Sequence, residues 1–103
     1  IAEAPICLVF CADPARSESV FSERGARLYA LQDATIAATY AQLAIVAAGM
    51  GSTCVGYFEE DKLREILKLE SGLVPVALLS LGYPAELPEP SSRRRLDEVV
   101  AWR

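Results

Sequence analysis

Apolar positions along the chain fall into two continuous runs and one long helical one, separated by charged or glycine-rich stretches. Pro5 to Ala12 reads PICLVFCA, without a polar interruption. A run of that kind predicts a strand buried on both faces, not an alternating edge strand, and Asp13-Pro14 ends it. Residues 15–25, ARSESVFSERG, carry no period and predict a loop that suits a lid. From Arg27 to Gly49 alanine, leucine and isoleucine run almost all round a helix, as in a helix buried on several sides. Within it Leu31, Ala34, Ala38, Ala41, Ile45 and Ala48 follow a three-and-four spacing. Their small side chains allow another helix to approach closely, from the same chain or from a second copy.

Gly49-Met50-Gly51 stops that helix, because glycine tolerates the left-handed conformation of a C-terminal cap. A short strand is predicted over Ser52 to Phe58, with Gly56 a place where a flat ligand can lie against the backbone. Glu59, Glu60 and Asp61 put acids into the first turn of a helix whose inward face is Leu63, Ile66 and Leu67, closed by Gly72. Glu60 and Arg64 are spaced for an exposed pair. Val74 to Tyr83, VPVALLSLGY, predicts the central strand of the sheet. After Pro84 the prolines at 88 and 90 predict an extended segment. Beyond it Leu96 to Trp102 either pairs with an edge strand or packs across a dimer.

No internal repeat interrupts this order, and 103 residues with 52% hydrophobic content fit a single domain over residues 1–103. A chain of that size buries only about two-thirds of its unfolded surface, so a partner or cofactor is expected to cover the remainder. The formal charge of −4 excludes a general nucleic-acid binder, since no broad basic face can be assembled. Positive charge is instead concentrated at Arg93, Arg94 and Arg95, which suits one small anion, or a solvated loop. The three cysteines, Cys7, Cys11 and Cys54, lack metal-ligand spacing, and histidine is absent, so no metal site is expected. Cys7 and Cys11 are expected to be reduced core residues of a cytoplasmic protein. The most apolar window, Ile36 to Met50, is too short to cross a bilayer, so no membrane association is expected. The chain opens Ile1-Ala2-Glu3-Ala4-Pro5 without methionine, as though cut from something longer.

Five consecutive pieces then line up: an apolar strand with CADP, LYALQDATIAA, GMGSTCVGYF, VPVALLSLGYPAE and RRRLDEVVAW. In wording and order they resemble the nitroreductase family across essentially the whole chain. The resemblance implies an α+β fold, a mixed and largely antiparallel sheet flanked by helices, with a long central helix at the interface of an intertwined homodimer that holds two FMN molecules. It also implies that Cys54, Val55, Gly56 and Tyr57 lie along the isoalloxazine ring and that Arg93 meets the FMN phosphate, with Arg94 the second choice and Arg95 the third. These implications agree with elementary chemistry. A flavin ring needs a flat approach without intruding side chains, and a phosphate suits the permanently charged fork of arginine.

The implied reaction is hydride transfer from NAD(P)H to FMN and on to a small-molecule acceptor such as a nitroaromatic or a quinone, with no protein acid, base or nucleophile named. A thiol mechanism at Cys54 is disfavoured, because nothing nearby in sequence lowers its pKa. A full family member begins with an arginine- and serine-containing segment on the FMN phosphate and ribityl chain, followed by helices that complete the dimer, and neither is in this sequence. Two readings follow: a flavin reductase whose N-terminal part lies elsewhere, or an N-terminally truncated, non-catalytic dimerisation module that has lost FMN.

Overall fold

The computed structural model describes residues 3–103, so the opening Ile1-Ala2 lies outside it. Strand β1 (Ile6–Ala12) leads into helix α1 (Pro14–Arg24), a single π-helical turn (Gly25–Tyr29) and the long helix α2 (Ala30–Ala47). Strand β2 (Gly51–Val55), helix α3 (Glu60–Leu67), strand β3 (Val74–Gly82) and a short helix α4 (Leu96–Val99) complete the order. The three strands form one antiparallel sheet in the order β1-β3-β2. The architecture is therefore the expected α+β one, with VPVALLSLG at its centre.

β3 is buried over most of its length because it is flanked on both sides and crossed by α2. Ala30 and Ala34 pack on Ala12 of β1, with Val74 and Val76 alongside. About three turns further on, Ile45 packs on Leu79 and Leu81, with Phe10, Ala41 and Met50 around them. Leu79 is fully buried, directly opposite Leu8 on one side and Cys54 on the other. A register shift helps this fit. Phe10 pairs with Ala77 but Cys11 pairs with Pro75, so Val76 is an extra residue that lets β3 bend under the helix. The alanine face of α2 is thus used inside the chain, against the sheet and not another helix, at Ala34, Ala38, Ala41 and Ile45, whereas Leu31 and Ala48 of the same stripe are exposed.

Several local expectations change. Residues 15–25 are helical, not a loop. Asp13 caps α1 by accepting the Arg16 backbone N–H at 3.3 Å, and Pro14 stands in the first turn, where its missing N–H costs nothing. The helix is broken at Ser22 (φ 57°, ψ −147°), so α1 folds back beside the π-helical turn. Gly25 makes that return possible. A Cβ there would stand 2.5 Å from the Ser17 carbonyl oxygen and 2.9 Å from Phe21 Cβ. β1 is an edge strand whose first three residues are exposed, so Cys7 is exposed and only half-buried Cys11 approaches the core role. β2 ends at Val55, short of Phe58. Helix α3 ends at Lys68, in the left-handed conformation (φ 52°), before Gly72. It turns in only Leu63, leaving Ile66 and Leu67 exposed. The anticipated Glu60–Arg64 pair forms at 3.1 Å, and Arg64 also donates to the Leu73 carbonyl, tying α3 to the start of β3.

The chain does not close around itself. Its exposed area is 8405 Å², against about 5,700 Å² for a compact monomer of this mass, and its radius of gyration is 16.5 Å against about 13 Å. Part of the exposed apolar surface lies on the far side of α2, where Ile36, Tyr40 and Leu43 are 51%, 68% and 64% exposed. These three fall on the face opposite Ala34, Ala38, Ala41 and Ile45.

Two substitutions test this packing by denaturant unfolding of the protein. Leu79→Ala is expected to lower stability by about 2–5 kcal/mol through the cavity it leaves at the centre of the sheet. Gly25→Ala is expected to cost about 1–3 kcal/mol, because the atoms it meets are backbone and Cβ and must shift together.

Candidate functional site

The residues expected to meet a flavin fall in two places. The first is the exit of β2. Cys54 and Val55 are its last two residues, paired with Leu79 and Leu78 of β3. The sheet thus fixes their backbone while the Cys54 side chain is exposed at the edge. Gly56 and Tyr57 follow outside the strand. No atom lies within 4 Å of the position a Gly56 Cβ would take, and Tyr57 is 98% exposed, whereas Phe58 is half-buried and anchors the segment before α3. The result is a bare stretch of peptide held in place at both ends, open to a flat partner.

The second place is the segment before α4. Its residues are exposed, and its three arginines differ in what holds them. The Arg94 Nε donates to the Glu98 carboxylate at 3.5 Å, and Arg95 Nη2 meets the Asp97 carboxylate at 2.5 Å. Arg93 instead donates from Nη1 to the Ser91 hydroxyl at 2.7 Å and to the Ser92 carbonyl at 3.4 Å. Both acceptors are neutral, and among the described residues no carboxylate pairs with Arg93. α4 therefore places acids that offset the charge of Arg94 and Arg95 and leaves the charge of Arg93 uncompensated. The exposed pairs themselves contribute little to stability.

Among the described residues no hydrogen bond or ion pair joins the β2 exit to the arginine segment. Two surface grooves are present. One is lined by Arg95, Leu96, Asp97, Val100 and Trp102, and the other lies between the end of β1, α1 and α2. Neither contains Cys54, Val55, Gly56, Tyr57, Arg93 or Arg94. Leu96–Trp102 begins as a helical turn and pairs with no strand among the described residues. Sequence reasoning passed over two features: the outward face of Ile36, Tyr40 and Leu43, and an aromatic contact between Phe21 and Tyr29 with Arg24 beside it. The first was signalled by a helix apolar all round. The second had no signal, since it depends on the chain doubling back at Ser22. No helix among the described residues is long and apolar enough to cross a membrane.

The sheet order and the long helix laid over it define the fold, and the sequence defines the family. The chain belongs to the nitroreductase family, whose profile matches residues 1–83. It is 35% identical over 88 residues to the NADH dehydrogenase of Thermus thermophilus, an alignment covering 85% of this chain and 43% of that protein. Among solved structures, the nitroreductase family protein of Streptococcus pneumoniae TIGR4 superposes with a TM-score of 0.87 at 23% identity, over 99% of this chain and 66% of the other. The NfrA1 nitroreductase of Bacillus subtilis superposes at 0.78 with 27% identity, over 96% of this chain and 45% of that one. The chain spans less than half the length of the curated relatives it matches. The family match includes Cys54–Tyr57, while the arginine segment lies beyond it.

If the β2 exit is a surface for a ligand and not a support of the fold, Gly56→Ala leaves the unfolding free energy within about 0.5 kcal/mol of the parent. A loss well above about 1 kcal/mol in denaturant unfolding would show instead that the backbone there is needed for folding.

Proposed function

We propose that this chain forms the flavin-embracing part of an FMN-dependent oxidoreductase of the nitroreductase type, working as a homodimer and passing reducing equivalents from NAD(P)H to a small-molecule acceptor such as a nitroaromatic or a quinone. The observation that carries the reading is the family match from β1 through β3, which takes in the open peptide at Gly56. The residues present suit FMN in kind. A ring can rest on the backbone of Cys54–Tyr57, and the peptide N–H groups there can stabilise charge that develops at its polar edge. Arg93, with no carboxylate partner among the described residues, suits a phosphate, and Arg94 can join it by leaving Glu98.

When bound, FMN would supply the two-electron chemistry; the chain's own contribution is to position the ring, offset its charge and keep water from it. No side chain is required as acid, base or nucleophile. That no hydrogen bond or ion pair joins the two places among the described residues is understandable if each flavin is held between two copies. The outward face of α2 supports such a pairing: Ile36, Tyr40 and Leu43 are exposed on a rigid helix. The area each chain leaves uncovered beyond the compact norm is about 2,700 Å², about 5,400 Å² over two copies, at the upper end of what permanent homodimers bury.

Titrating FMN into the flavin-free protein and following flavin fluorescence tests the ligand assignment. Arg93→Ala is expected to weaken binding about ten- to a hundredfold, as loss of a charged phosphate contact does, and Arg95→Ala much less. Equal affinity for the parent and Arg93→Ala would remove Arg93 from the site. A protein that takes up no flavin at all would leave a non-catalytic dimerisation module as the reading. The dimer assignment is tested separately. Leu43→Glu puts a charge in the middle of the outward face and is expected to halve the molar mass measured by light scattering without loss of helical content. An unchanged mass would place the partner surface elsewhere.

A further inference from the structure

We infer that Ser91 is a positioning residue for the phosphate contact: its hydroxyl holds the Arg93 guanidinium so that the Nε–Nη2 edge stays open to a phosphate. The inference rests on the proposed reading of Arg93 as the FMN phosphate contact, and adds what holds that arginine ready.

An arginine grips a phosphate best with two parallel N–H groups on one edge of its planar fork. The three arginines use that edge differently. Arg94 commits both groups to Glu98, with Nε donating to the carboxylate at 3.5 Å and Nη2 to the backbone carbonyl at 3.3 Å. Arg95 gives Nη2 to the Asp97 carboxylate at 2.5 Å. Arg93 donates from Nη1 alone, to the Ser91 hydroxyl at 2.7 Å and the Ser92 carbonyl at 3.4 Å. Among the described residues no acceptor meets its Nε or Nη2, so of the triplet only Arg93 keeps the whole edge free.

The two contacts on Nη1 differ in strength. The Ser92 contact is long for an N–H···O bond, whereas the Ser91 contact is short, so the hydroxyl is the main restraint on the fork. A loose arginine loses much rotamer freedom when it binds a ligand, and a tether already in place reduces that loss. A carboxylate tether would restrain the fork and cancel its charge together. The neutral hydroxyl restrains it and leaves the charge for the ligand. The anchor is itself restricted, because Pro88 and Pro90 limit the backbone directly ahead of Ser91.

Titrating the flavin-free protein with FMN and, in parallel, with riboflavin, which carries the same ring without the phosphate, tests the inference. Ser91→Ala is expected to weaken FMN about three- to tenfold and leave riboflavin unchanged, while Ser91→Thr, which keeps the hydroxyl, stays within about twofold of the parent. Ser91→Ala added to Arg93→Ala is expected to cause no further loss, because the serine acts through the arginine. Parent-like FMN affinity in Ser91→Ala, with affinity lost in Arg93→Ala, would overturn the positioning role and leave the reading of Arg93 intact. Parent-like affinity in both variants, or no flavin bound at all, would overturn that reading and this inference with it. Equal losses for FMN and riboflavin, or a further loss in the double variant, would overturn it too, since Ser91 would then act on the segment or the ligand and not through the fork.

Discussion

The contact on which the rest of this structure depends is that between the alanine face of α2 and the central strand β3. Ala30, Ala34, Ala38 and Ala41 have side chains small enough to bring the helix close to the sheet, and Ile45 fills the wider space over Leu79 and Leu81. Interiors are packed as densely as organic crystals, so an approach this close fixes more than stability. It sets the direction of α2, the position of the Gly49–Gly51 turn that follows, and so the line along which β2 enters the sheet and leaves it at Val55. The open peptide at Gly56 is where it is because α2 is where it is.

The same geometry explains why the chain leaves so much apolar surface bare. A helix that is apolar all round and presses one side on a sheet leaves the other side bare unless something covers it. Here Ile36, Tyr40 and Leu43 are bare, and an extended tail carries further exposed apolar groups, Leu87, Leu96 and Trp102 among them. In the proposed dimer this uncovered surface and the proposed flavin site have one cause. An interface that hid α2 would also bring the glycine exit of one copy and the arginine segment of the other together around a single ligand.

Much of this was legible in the residues. The two continuous apolar runs gave β1 and β3, the all-round apolar helix gave α2, and the acids at 59–61 gave the start of α3. Each rests on a period or a cap, which are local properties. What was not legible depends on contacts distant in sequence or on neighbours. β1 reads as fully buried because its composition is that of a covered strand, yet it lies at an edge of this sheet and its first half is exposed. Residues 15–25 read as a loop because serine, arginine and glutamate gave no face. They are helical because Asp13 and Pro14 start a helix well and because Gly25 allows the chain to return against Ser17. Lys68, not Gly72, ends α3, a left-handed cap that propensity alone assigns to glycine. For the candidate site, sequence could name Gly56 and the arginine triplet. It could not foresee that acids on α4 take up Arg94 and Arg95 and leave Arg93 without a charged partner.

The measurement that tests the central claim most directly is size-exclusion chromatography of the purified native protein, with light scattering and visible absorbance recorded on the same peak. The account predicts one peak with twice the mass of the polypeptide, carrying flavin absorbance at close to one FMN per chain. A colourless monomer that stays colourless and monomeric after incubation with FMN would contradict it. Both the shared flavin site and the dimer that explains the bare face of α2 would then have to be given up.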